Sequence, residues 1–200
     1  MLRTAVIDNV TLVNLTKLKQ HNIFNAIRFL FSQIHIPQEV RREYEVQQAR
    51  EPDRVWVLER LRPNEGFYSY CTRYDSATFT LLRGVKGIDK GEAEAVAQKR
   101  SVEAHYILSD DLRFQTAIKS IDSTIKIFTT LHIIAMLDIR ELVANPESIV
   151  KTLHSVHPFK SSQLRTAYIE SAKELGITLS KKVLSTKCSL TKLGLNQRGK

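Results

Sequence analysis

The chain of 200 residues carries 42% hydrophobic and 26% charged residues with only 7 Gly and 5 Pro, the make-up of a folding sequence. It is long enough for one generous domain with an extension but too short for two full-sized domains. The net charge of +9 is unevenly spread: residues 1–150 hold 20 basic and 19 acidic side chains, whereas the last fifty hold 10 and 2. No apolar run approaches the roughly 20 residues of a membrane span, and Ala5-Val6-Ile7 meets Asp8 too early for a signal-peptide core. Cys71 and Cys188 form no paired motif, which argues against a disulfide framework or zinc knuckle, so a cytoplasmic protein without membrane attachment is expected.

Taken in chain order, strand-like and helix-like segments alternate. Thr4–Ile7 reads as a β-branched strand ending at Asp8, followed by helical spacing over Thr11–Leu18 and Ile23–Phe31. Gln33–Ile36 is a second short strand, and Pro37 suits the first position of a helix over Glu39–Tyr44. The segment 51–87 is ambiguous, with Val55–Leu58 a candidate strand and Ala77–Leu82 the end of a helix. Gly87–Gly91 is a turn opening a helix over Glu92–Arg100. Tyr106–Leu108 and Ile125–Phe128 read as strands, each leading into a helix. Beyond Asn145-Pro146, amphipathic helices over Ile149–Val156 and Gln163–Leu175 precede a segment with Lys181, Lys182, Lys187, Lys192, Arg198 and Lys200 and no acid. Such an arm attracts polyanions by counterion release, or serves only as a solvated tail.

Strands separated by helices imply a parallel sheet, whose functional groups collect at the carboxyl ends of the strands. Asp8 ends the first strand, and Asp110 and Asp111 end the strand at Tyr106. Glu43 borders the stripe of its helix that should be apolar, and Glu92 and Glu94 open another helix. Each has a plain alternative role: Asp89 with Glu92 fits a capping box, Asp110 suits a helix cap, and Glu43 is solvated if its helix is rotated. The conjunction is more informative than any single acid. Facing carboxylates repel and raise one another's pKa unless a hard cation lies between them, and oxygen ligands suit Mg²⁺ or Mn²⁺.

Four segments together, Ala5-Val6-Ile7-Asp8, Ile34 through Glu43 (Pro-Gln-Glu-Val-Arg-Arg-Glu at its end), Gly91-Glu92-Ala93-Glu94-Ala95 and Ile107-Leu108-Ser109-Asp110-Asp111, resemble the PIN-domain nucleases in the family's order. The likeness is to the branch of predicted nucleic-acid-binding proteins related to the toxins of toxin–antitoxin pairs, and it covers roughly residues 1 to 145. It implies a three-layer α/β/α fold with a central parallel sheet at 1–145 and a helical extension at 146–180, while the charge pattern, which the resemblance does not cover, suggests a flexible basic tail at 181–200. Asp8, Glu43 and Asp111 match the family's acidic positions, the remaining acid is Glu92 or Glu94, and Asp110 is either a ligand or a supporting group. By the same resemblance the chain is expected to be a metal-dependent endonuclease, chiefly a ribonuclease on single-stranded RNA, leaving 5′-phosphate and 3′-hydroxyl ends. An antitoxin-like partner and a homo-oligomer are further expectations, and Lys181, Lys182, Lys187 and Lys192 are candidates for holding nucleic acid. Asn9 after the first acid and Thr129-Thr130 after the last strand depart from the family pattern. The alternative is a non-catalytic nucleic-acid- or protein-binding module on the same fold.

Overall fold

The structure is a computed structural model that describes residues 3–48, 62–63 and 66–195. The candidate strand at Val55–Leu58 lies outside the described residues. The chain divides into two compact units, one formed by Met1–Thr16 and Phe31–Phe128, the other by Lys17–Leu30 and Thr129–Lys200.

The first unit is built on strands β1 (Arg3–Ile7), β2 (Phe31–Pro37), β3 (Arg62–Pro63), β4 (Tyr68–Cys71), β5 (Tyr106–Leu108) and β6 (Ile127–Phe128). They form a parallel sheet in the order β3-β4-β2-β1-β5-β6. Its helices are α1 (Asn9–Lys17), α3 (Gln38–Gln48), α4 (Ser76–Leu82), α5 (Lys90–Ser101) and α6 (Leu112–Ile121), and the architecture is the expected three-layer α/β/α arrangement. Val6 is in register with Ile107, and Ile107 with Ile127, so these side chains share one face of the pleat. Onto Ile107 and Ile127 pack Leu82 of α4, Ala93 and Val96 of α5, and Phe114 and Ile118 of α6, all buried. At about 1.5–3 kcal/mol per buried large apolar side chain, this layer fixes where α5 and α6 begin relative to the strand ends.

Three local readings differ from the sequence expectation. The helix expected over Ile23–Phe31 is one turn, α2 (Ile23–Ala26), followed by a 3₁₀ turn at Ile27–Phe29, and Phe31 instead opens β2. Asn22 interrupts the preceding path with φ +56°, a left-handed conformation that asparagine tolerates. Pro37 closes β2 opposite Cys71 rather than opening a helix. Tyr68–Cys71 pairs with β2 although Tyr-Ser-Tyr-Cys has no β-branched residue to announce a strand.

The second unit holds α2, α7 (Thr130–Ile139), α8 (Pro146–Val156), α9 (Ser161–Glu174) and α10 (Lys181–Lys187). Its C-terminal segment begins at Thr129. The reason lies in α7, whose residues 130–138 are all buried and whose His132 carbonyl accepts from Ser171 Oγ of α9 at 3.1 Å. Residues 17–30 join this unit through His21 Nε2 to Thr152 Oγ1 (3.0 Å) and Arg140 Nη1 to the Phe29 carbonyl (3.1 Å). Within the expected basic tail, Ser180 caps a helix over Lys181–Lys187 by accepting from the Val183 amide, and a turn follows. No helix among the described residues is long and apolar enough to cross a membrane.

Candidate active site

Asp8 stands immediately after β1 and is 3% exposed. One of its oxygens accepts from the Thr11 amide at 2.8 Å and the other from Ser109 Oγ at 2.5 Å. Ser109 follows β5, is fully buried, and also accepts from the Asp111 amide at 3.2 Å, so one hydroxyl ties the two neighbouring strand ends together. Burial is the largest influence on Asp8. It pushes the carboxyl up to about 7 against the opposing hydrogen bonds, and the nearby charge of Asp110 adds to the rise.

Asp111 caps α6, its Oδ1 accepting from the Arg113 and Phe114 amides at 2.7 and 3.0 Å. Asp110 turns toward α1, where its Oδ2 accepts from Asn14 Nδ2 at 2.8 Å and Thr11 Oγ1 at 3.3 Å. It thereby stands behind Asp8 and holds α1 to the end of β5.

The two glutamates of α5 part company. Glu92 completes the capping box that the sequence suggests, accepting from the Asp89 amide at 2.8 Å while Asp89 Oδ1 accepts from the Glu92 amide at 2.8 Å. Burial nonetheless pushes Glu92 up to about 7, and Asp89, Asp111 and Asp8 contribute to the rise, so it faces the other acids. Glu94 accepts from the Gln38 and Glu39 amides at 3.1 and 2.8 Å, satisfying the first free donors of α3. Its own upward shift comes from burial, and its charged neighbours are Glu39 and Lys90.

Glu43 is half-buried and shifted up by burial and by Asp89 and Glu39, with a hydrogen bond from Asn9 acting against the shift. Its Oε1 lies 3.4 Å from where a Cβ on Gly91 would stand, which places it beside the first turn of α5. Asp8, Glu43, Glu92 and Asp111 thus come from four separate elements to one end of the sheet. Asp89, Glu92, Asp111 and Arg113 line an open cleft of about 250 Å³ there.

The donors are all oxygen, and burial and mutual repulsion hold Asp8, Glu92 and Glu43 above their ordinary range. Both properties fit a hard divalent cation, which removes the repulsion. Among the described residues, no three His, Cys, Asp or Glu side chains are gathered as a ready-made metal shell. Asp8, Glu92 and Asp111 each give at least one oxygen to a backbone amide.

A family model described as DUF3368, a PIN domain, matches residues 4–174. This chain belongs to the PIN-domain family. The PIN match reaches from β1 into α9 and includes every acid discussed above. PIN domains are in general nucleases, so the chain has a nuclease fold, with nucleic acid as the implied substrate. No curated protein and no solved structure matches the chain.

Ser109, Asn9 and Arg113 stand among these acids, and sequence reasoning did not single them out as functional. Ser109 had a signal, being a hydroxyl at the same strand end as Asp110 and Asp111. The Asn9 side chain, noted only as a departure from the family pattern, bonds Glu43 through one atom, while its Oδ1 is buried without a hydrogen-bond partner among the described residues. Of the basic candidates, Lys181, Lys182 and Lys192 are exposed. Lys187 instead binds Asp138, which is 8% exposed, at 2.5 and 2.7 Å, and Tyr168 donates to the same carboxylate. Arg198 and Lys200 lie outside the described residues.

Proposed function

We propose that the chain is a divalent-metal-dependent endonuclease that hydrolyses phosphodiester bonds in single-stranded RNA. The observation that carries this reading is the convergence of Asp8, Glu92 and Asp111, with Glu43 beside them, two of the four held near pKa 7 by burial. Asp8, Glu92 and Asp111 would hold Mg²⁺ or Mn²⁺, with Glu43 next in line, and the bound ion lowers the pKa of water and balances charge on the phosphodiester. The chain's own contribution is orientation. Ser109 Oγ fixes the rotamer of Asp8, the amides of α6 fix Asp111, and the capping box fixes Glu92, so the acids need little rearrangement to act together. Arg113 lines the same cleft and supplies a guanidinium for the phosphate flanking the cut. RNA is favoured over DNA by the family resemblance, as is the role of a toxin with a small antitoxin-like partner.

A second reading is a non-catalytic nucleic-acid- or protein-binding module, favoured by the lack of a ready-made metal shell among the described residues. Incubating the purified protein with labelled single-stranded RNA and DNA in Mn²⁺, Mg²⁺ or EDTA separates the two. Metal-dependent cleavage that disappears in Asp8→Asn supports the enzyme. Binding without cleavage in every metal supports the module.

A further inference from the structure

Beside the acidic cleft, the first unit has a larger groove of about 630 Å³, within the roughly 300–1,000 Å³ typical of ligand sites. None of the catalytic candidates except Glu94 lines it, and Glu94 is occupied with the first amides of α3. Two features define its chemistry. The first is charge balance: Arg41, Arg42 and Lys90 face Glu39, Glu45 and Glu94. Arg41 Nε binds Glu45 at 2.7 Å, Lys90 Nζ binds Glu39 Oε2 at 2.7 Å, and Arg42 also binds Glu39. With its cations paired inside its own walls, the groove is poorly suited to attract phosphate.

The second feature is a set of flat surfaces. The Arg41 guanidinium lies 4.3 Å above the Tyr70 ring, and Tyr74 and Phe79 meet at 5.0 Å with a tilt of 53°. Tyr74 is 38% exposed, and Tyr70 and Phe79 are partly exposed. Phe79 also packs on the core and has the Arg83 guanidinium 5.6 Å from its ring centroid, so it backs the groove while Tyr74 offers the open face. Lys90 and Glu39 connect this wall to the cleft, since Lys90 precedes Gly91 and Glu92, and the charge of Glu39 is felt at Glu43.

A neutral, aromatic-walled groove opening next to a phosphodiester-cutting cleft matches a group that is planar, uncharged and joined to a phosphate. We propose that the groove binds one unpaired nucleobase of the strand being cut, stacked on Tyr74 with Phe79 behind it, and with Arg41 and the polar rim meeting its edge. This deepens the nuclease reading and rests on it. It makes the site selective for single strands, because a base held in a duplex cannot enter the groove. It also tolerates different sequences, because every base presents a π-face.

The test uses the full chain and a fluorescein-labelled single-stranded oligoribonucleotide, with affinity measured in EDTA and cleavage in Mn²⁺. Tyr74→Ala is expected to weaken single-strand binding roughly 5- to 150-fold, the range of one base–aromatic stack. Tyr74→Phe should retain wild-type affinity, and the salt dependence of binding should be unchanged in both variants because no charge is removed. An oligonucleotide lacking one base near the cut should bind the wild type less well and Tyr74→Ala no worse. Unchanged affinity in Tyr74→Ala and Phe79→Ala, with cleavage intact, overturns the groove while leaving the nuclease standing. Loss of affinity in Tyr74→Ala, with no cleavage by the wild type in any metal, supports the base site and overturns the nuclease reading. A wild type that neither binds nor cuts overturns both.

Discussion

Asp8→Asn isolates the consequence of burying a carboxylate in the cleft. The pKa of Asp8 rises from 3.8 to about 7, so the native state holds the proton more tightly than the unfolded chain does. The contribution of Asp8 to stability is therefore fully present below about pH 4 and is lost as pH rises through about 7. At 1.36 kcal/mol per pH unit the change is about 4 kcal/mol, acting against the metal-free fold at pH 8. Asparagine keeps an acceptor for the Thr11 amide and turns an amide toward Ser109 Oγ, which has lone-pair capacity for it, so the substitution removes charge with little change of shape. In EDTA at pH 8, Asp8→Asn should be the more stable protein, by up to about 4 kcal/mol, on the order of 10 °C in melting temperature. The advantage should vanish at pH 4, where the wild-type carboxyl is protonated. Denaturant melts at pH 4, 6 and 8 measure this directly, and repeating them with Mn²⁺ should stabilise the wild type well above the variant. A variant less stable than the wild type at pH 8 in EDTA, or a gap that does not change with pH, would refute the account of Asp8 as a destabilising buried charge.

Other substitutions test the neighbouring contacts. Glu92→Gln retains an acceptor for the Asp89 amide and removes a carboxylate that burial also holds near 7, so in EDTA at pH 8 it should keep or raise stability yet abolish cleavage. Glu94→Gln leaves one of two α3 amides short of an acceptor and should lose about 1 kcal/mol by thermal melt, with cleavage largely retained. Ser109→Ala removes a bond that lowers the Asp8 pKa, so the acidic limb of the pH–rate profile should move to higher pH. Lys187→Ala leaves the buried Asp138 without its cation and should cost about 3 kcal/mol in a denaturant melt. If the arm binds phosphates, Lys181, Lys182 and Lys192 changed together to Ala should make the slope of log affinity against log salt shallower by up to about 2 for single strands. An unchanged slope discards that role.

The sequence announced much of the sheet because β1, β2 and β5 are apolar and end in punctuation: Asp8, Pro37 and Ser109-Asp110-Asp111. It missed Tyr68–Cys71, whose strand character comes from pairing with β2 rather than from its own residues. It also carried the helix from Ile23 on to Phe31, because apolar residues at helical spacing do not show where a 3₁₀ turn ends a helix and a buried strand begins. At the site, strand-end position drew attention to Asp8, Asp110 and Asp111, and the family resemblance chose Asp111 over Asp110. The choice between Glu92 and Glu94 was not legible, because both are buried and only the identity of the amides they accept from separates them. Nor could sequence show that Lys187 is paired with Asp138, an interaction spanning 49 residues.

The capping bonds give this site an unusual way of ageing. Asp8 accepts an amide of α1, Asp111 starts α6, Glu92 closes the box on α5, and Glu94 starts α3. A relative that does not cut nucleic acid would still need something at each position to begin those helices, so the acidic pattern would decay slowly and selectively. Asn, Ser and Thr serve as caps but not as carboxylates, and Gln can replace Glu in a capping box. The mark of a retired relative is thus a site that drifts to amides and hydroxyls, one helix start at a time, while the fold stays intact.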